Sequence, residues 1–250
     1  MSVVHFLPEP SVTFCCRQCF IQQENRFFVY CAILTETFCQ VFQFDRDGVM
    51  FSDRINIHES CCCFVRVILA LASPDLKALG FDTSIQWCQG KRYLSMPSHA
   101  DSELVRYEIR NQKASFLRRS IRGRGTLCWN VTHPVTKEKY LAKDCWRSAN
   151  RTPEWELLEM AKGLDGVGQM IDYWEPLGVS ISGLRGSGAQ GVRDRTFCRV
   201  LLKRYGKSIR HFGDQKKLLY TFRDAIAGQS LLDSIPSVSN DLFRPSKPME

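Results

Sequence analysis

The 250-residue chain has room for one large domain or two small ones. Apolar residues make up 44% and charged residues 24%, ordinary globular usage that excludes collagen-like, low-complexity and wholly disordered readings. Thirty-four Lys and Arg against 26 Asp and Glu give a formal charge of +8, a mild excess that suits a phosphate-bearing partner without requiring nucleic acid.

Residues 1–24, with Pro8, Pro10 and a cysteine-rich patch, read as an irregular lead-in. Residues 25–94 then carry the pattern of an α+β segment. Phe27 to Leu34 is apolar and β-favouring, and in Phe38 to Phe44 the aromatics alternate with Gln and Cys. Asp45-Arg46-Asp47-Gly48 is a turn before Val49-Met50-Phe51, so a three-strand meander with one covered face is predicted. Glu59 to Ala72 places Phe64, Val67, Ile68 and Leu71 on one helical stripe. A short helix should follow, with Ser73 as cap, Pro74 in its first turn and Gly80 as its stop. Residues 95–115 are polar and mixed, a candidate linker.

Residues 116–228 begin with a second meander: Phe116 to Ile121, Leu127 to Val131 and Tyr140 to Cys145. Gly123 and Gly125 make its first turn, and His133-Pro134 with Thr136-Lys137-Glu138 the second. Thr152 as cap and Pro153 in the first turn open a helix striped by Leu157, Met160, Ala161 and Leu164. Met170 to Trp174 and Phe197 to Leu202 read as strands, with a flexible loop from Gly183 to Gly191 between them. Asp214 caps a last helix bearing Leu218, Leu219, Phe222, Ala225 and Ile226. Residues 229–250, punctuated by Pro236, Pro245 and Pro248, read as a divergent, disordered tail.

Twelve cysteines stand at 15, 16, 19, 31, 39, 61, 62, 63, 88, 128, 145 and 198. Neighbours such as Cys61, Cys62 and Cys63 make a poor disulfide frame, and no two spaced pairs frame a zinc site. No basic start leads into a long apolar stretch, and the longest apolar run falls far short of the ~20 residues of a membrane span. The expectation is a reduced intracellular protein, cytoplasmic or nuclear, whose cysteines serve mostly as small buried hydrophobes.

The order from Phe116 carries the functional signal. Strand, glycine turn, strand, turn, strand with an inward Lys, helix with an early Glu, two strands and a helix is the layout of a protein-kinase small lobe. Gly123 and Gly125 let backbone fold closely over a polyphosphate. Lys143 can neutralise phosphates from the third strand, and Glu154 can hold that mobile four-carbon arm in place. Glu156 and Glu159 compete for the latter role. Lys203-Arg204-Tyr205-Gly206, after the fifth strand, is where an adenine would meet backbone at a lobe junction.

The wording is closer than the layout. Ser120-Ile121-Arg122-Gly123-Arg124-Gly125-Thr126, Lys143-Asp144-Cys145-Trp146-Arg147 and Arg151-Thr152-Pro153-Glu154-Trp155-Glu156-Leu157-Leu158 resemble the fungal-type protein kinase family. So do Gly166-Val167-Gly168-Gln169-Met170-Ile171 and Phe222-Arg223-Asp224-Ala225-Ile226-Ala227-Gly228, and, earlier, Phe42-Gln43-Phe44-Asp45-Arg46 and Leu79-Gly80-Phe81-Asp82-Thr83. The resemblance runs from about Asn25 to Gly228. It implies an α+β, protein-kinase-like small lobe of antiparallel sheet plus helix with the start of the large lobe, preceded by a family-specific α+β N-terminal segment. It also implies ATP with Mg as cofactor and phosphoryl transfer to Ser or Thr of a protein substrate. Gly123, Gly125, Lys143 and Glu154 become the nucleotide-side residues, with Lys203 and Tyr205 at the hinge.

Catalysis in such a kinase needs a His-Arg-Asp loop and an Asp-Phe-Gly metal ligand. The last histidine is His211, before the final predicted helix, and Asp-Phe-Gly occurs nowhere. No residue is therefore assigned as catalytic or metal-ligating. The expectation is a truncated family member, inactive alone with at most weak ATP binding; the alternative is a non-catalytic interaction module that regulates full-length relatives. Arg118, Arg119, Arg122 and Arg124 read as a solvated strand edge rather than a nucleic-acid surface.

Overall fold

A computed structural model describes residues 10–186, 191–204 and 213–233. The chain starts with a helix where a lead-in is expected: α1 spans Pro10–Gln22. Cys16 and Phe20, one helical turn apart, are buried against Val29, Phe42 and Phe44. The Cys16–Cys19 spacing is a Cys-x-x-Cys, yet Cys16 is core and hydrogen-bonds through sulfur with Cys31, an interaction that lowers the Cys31 thiol to about 6.

β1 (Val29–Leu34), β2 (Phe38–Asp45) and β3 (Gly48–Phe51) form the expected antiparallel meander, with Asp45 paired to Gly48 across the turn. A two-residue strand, β4 (Ile55–Asn56), adds to β2. α2 (Cys61–Leu71) follows. Its stripe is real but shallow, since no residue of the helix is fully buried and Val65, Ile68 and Leu69 stand exposed. The helix expected from Ser73 to Gly80 is instead a single turn, in which Ser73 Oγ accepts from Asp75 N–H and Asp75 Oδ1 from Lys77 N–H. The backbone bonds that follow, Leu79 N–H to the Asp75 carbonyl and Gly80 N–H to the Lys77 carbonyl, close one turn and end at Gly80, where φ is +88°.

Residues 95–115 are not a linker. β5 (Ile85–Cys88), β6 (Lys91–Pro97) and β7 (Leu104–Ile109) join β8 (Phe116–Leu117), β9 (Leu127–Thr132), β10 (Lys139–Ser148), β11 (Met170–Trp174) and β12 (Arg195–Lys203) in one eight-stranded antiparallel sheet. Its order is β11-β12-β10-β9-β7-β6-β5, with β8 on β9. Leu94, Met96, Trp129, Val131, Ala142 and Leu201 are fully enclosed on one face of it. Burying each large apolar chain of this set contributes about 1.5–3 kcal/mol. Among the described residues no helix is long and apolar enough to cross a membrane.

α3 (Glu154–Met160) begins one residue later than its cap signal implies, with Pro153 rather than Thr152 at the N-cap. The loop between β11 and β12 contains a short helix, α4 (Ile181–Arg185), where Ser180 Oγ accepts from Gly183 N–H. α5 (Gln215–Asp233) starts at Asp214 as expected but runs past Gln229 into the stretch read as tail. The fold is thus α+β, two antiparallel sheets with helices against them.

Two buried ion pairs join the N-terminal strands to the later ones. Arg199 on β12 grips Asp144 of β10 (Nε–Oδ1 2.6 Å, Nη2–Oδ2 2.9 Å), donates 2.8 Å to Asp82 and 2.8 Å to Ser84, and is 0% exposed. A β12 side chain reaching the lead-in to β5 requires the sheet to curl on itself. Arg185 of α4 is bidentate to Asp45 at 2.6 and 2.7 Å, again fully buried.

Candidate nucleotide site

The strand register separates the sheet into a core face and a site face. Lys143 pairs with Cys128 on one side and Val200 on the other, and Cys145 pairs with Cys198. With side chains alternating at period two, Leu141, Lys143 and Cys145 share one face of β10 while Ala142, Asp144 and Trp146 occupy the other. The second set is buried in the core. Lys143 is thereby held out of the core by register alone.

Lys143 Nζ donates to Glu154 Oε1, the two side chains remaining 27% and 33% exposed. Of the three candidate glutamates the structure selects Glu154, for Glu159 pairs with Lys162 and Glu156 is exposed. α3 is fixed by its next residue: the Trp155 ring stacks on Tyr173 of β11, centroids 4.3 Å apart, and Tyr173 Oη hydrogen-bonds His99 Nε2 at 3.1 Å. The ion pair opens onto a cleft of ≈ 1230 Å³ bordered by Arg124, Arg147, Arg151, Arg193 and Arg195 against the carboxylates of Glu154 and Asp194. Asp194 is already engaged by Ser182. Burial lowers Arg195; Asp47 opposes this, and the like charges of Arg122, Arg193 and Arg124 add to it. By formal charge the wall carries Lys143 and five arginines against two carboxylates, with Arg147 paired to Glu175 at 2.8 Å.

The glycine turn is differently occupied. Gly123 N–H donates to the Arg46 carbonyl at 2.9 Å, while Arg46 Nη1 donates to the carbonyls of Ser120 and Ile121 at 3.1 and 3.2 Å. A Cβ on Gly125, where φ is +50°, would lie 2.5 Å from Arg46 Nε. Burial lowers the Arg46 guanidinium to about 10 despite Asp45 beside it. Gly125 is thus needed in this structure to seat Arg46 from the β2–β3 turn. Gly125→Ala is expected to cost about 1–3 kcal/mol through its left-handed backbone and the displaced guanidinium, read as a lower urea midpoint. Gly123→Ala, at φ +122° with open space around it, should cost strain alone.

The profile described as fungal protein kinase matches residues 10–175. The chain belongs to this family. Comparison with curated proteins and with solved structures gave no match. The fungal protein kinase match takes in α1, the strands β1 to β10, the glycine turn, Lys143, Glu154 and β11, and it stops before β12. Use of ATP and Mg is the general property of such a kinase domain.

Of the remaining predicted site residues, Lys203 ends β12, where its N–H donates to the Gln169 carbonyl at 2.9 Å. Tyr205 lies outside the described residues. Sequence reasoning missed Arg199, Arg185 and Arg46, the cations that fix the scaffold. Their signal was faint: an Arg within the apolar run Phe197 to Leu202, and the acids Asp82, Asp144 and Asp45 inside words that match the family.

Proposed function

We propose that this fungal protein kinase chain uses its small lobe to bind Mg-ATP, with Lys143 held by Glu154 facing the phosphates. Its sequence holds neither a His-Arg-Asp nor an Asp-Phe-Gly, so no residue is assigned to the transfer step. The supporting observation is the Lys143–Glu154 pair at the edge of an arginine-rich cleft. A partly exposed pair there suits a polyanion, because Lys143 keeps donors to spare and the cleft wall carries five arginines against the carboxylates of Glu154 and Asp194. Bound Mg-ATP would supply the transferable phosphoryl group; the chain's own part is to bind and orient it. Gly123 offers no free amide while Arg46 holds it, so affinity should be weak.

The test is thermal denaturation with and without Mg-ATP. Ligand at ten times Kd adds about 1.4 kcal/mol, a rise of a few degrees, and Lys143→Met should abolish it. No shift at millimolar Mg-ATP would overturn the reading, and phosphate incorporation catalysed by this chain alone would overturn its inactivity.

A second reading has its own observation. On α5, Leu219, Phe222 and Ile226 recur at helical spacing while 66%, 48% and 67% exposed. Such a stripe suits docking onto another protein, which supports a non-catalytic module that regulates full-length relatives. Co-purification with a full-length relative, lost in Phe222→Asp, is the expected result.

A further inference from the structure

Cys145 and Cys198 face each other directly across β10 and β12, with Sγ atoms 3.3 Å apart. Directly opposed residues of an antiparallel pair have Cα atoms about 4.5–5.5 Å apart, inside the ~4.4–6.8 Å range that a disulfide spans. No backbone movement is needed to join them. Both thiols border the cleft that Lys143 and Glu154 open onto, and Lys143 stands two residues from Cys145 on the same face. The twelve cysteines are all free in this structure.

We infer that Cys145 and Cys198 are a redox modification site: a dithiol in the wall of the Lys143 cleft that hydrogen peroxide converts to a cross-strand disulfide, which a thiol reductant reverses. The chemistry closes. Cys145, having given up its proton, attacks one oxygen of hydrogen peroxide and becomes a sulfenic acid; the O–O bond breaks, and the hydroxide that leaves takes up that proton as water. Cys198 sulfur then attacks the sulfenic sulfur, the S–O bond breaks, and a second water leaves with the displaced oxygen. Two thiols are oxidised by two electrons in all, and one peroxide is reduced to two waters. Access sets the order, and the pair's own hydrogen bond, which lowers Cys145, acts the same way. Cys145 is the more open of the two, 8% exposed against 1%.

The disulfide site stands on this geometry; its coupling to nucleotide rests on the Mg-ATP reading above. Both are tested in one experiment on the full chain. The protein is treated with hydrogen peroxide near stoichiometry, remaining thiols are alkylated, and tryptic peptides are analysed by mass spectrometry. The expected product joins peptides 144–147 and 196–199, lighter than their sum by two hydrogens. It should vanish with dithiothreitol and be absent from Cys198→Ala. Recovery of both peptides alkylated or over-oxidised and unlinked, from wild-type protein still folded by circular dichroism, overturns the inference. Mg-ATP in the cleft should slow the linkage several-fold. Linkage equally fast with and without Mg-ATP supports the dithiol and sinks the nucleotide placement. An Mg-ATP thermal shift without linkage does the reverse.

Discussion

Arg199→Met should lower the chain's stability by about 3–5 kcal/mol, the cost of leaving a buried ion without its partner. Arg199 is the sole cation that Asp82 and Asp144 are bonded to in the described residues, and all three are enclosed. Burial opposes the charge on Arg199, but the two carboxylates outweigh it and hold the guanidinium above its ordinary range. Burial likewise pushes Asp144 up against the pull of Arg199. Without the guanidinium both carboxylates lose their buried counter-charge. Against a total of about 5–15 kcal/mol for a folded domain, the loss is large enough to leave much of the population unfolded in mild urea. Circular dichroism across a urea series measures it. Arg199→Lys should fall between, since one ammonium cannot fork to Asp144 while reaching Asp82 and Ser84. An unchanged midpoint for Arg199→Met would show that the triad contributes nothing net.

Asp45→Ala is the second large effect. It leaves Arg185, whose side chain is 1% exposed, with Asp47 at 3.9 Å as its remaining carboxylate. Because that contact survives, the loss should sit toward the lower end of the ~3–5 kcal/mol for breaking a buried pair. The double variant Asp45→Leu with Arg185→Met should recover part of it, for replacing both charges by apolar chains removes the desolvation penalty together with the attraction. A cycle in which the two substitutions simply add would disprove coupling between them.

The first meander and the kinase-like strands were legible because alternation and turn residues act over a few neighbours. β6 and β7 carried the same alternation, Leu94 with Met96 and Tyr107 with Ile109, but Pro97 and the polar residues between them made the stretch read as linker. α1 was hidden by Pro10, which opens the helix rather than preventing it. The opposite error arose at Ser73: its helix-start chemistry is present but closes on itself within one turn. At the site, Lys143 and Glu154 were legible because strand register and a first-turn glutamate are local. The seating of Arg46 under Gly125 joins residues far apart in sequence, and a glycine that accommodates an arginine looks the same in sequence as one that accommodates a phosphate.

The Asp82–Arg199–Asp144 triad also sets what can be excised. A fragment begun at Phe116, the natural cut for anyone seeking a minimal small lobe, would discard three strands of an eight-stranded sheet and strip Asp82 from Arg199. Such a fragment should be recovered as aggregate. The smallest preparation worth crystallising, titrating or fusing to a reporter must carry the N-terminal strands along with the lobe, and relatives are better compared over that whole block.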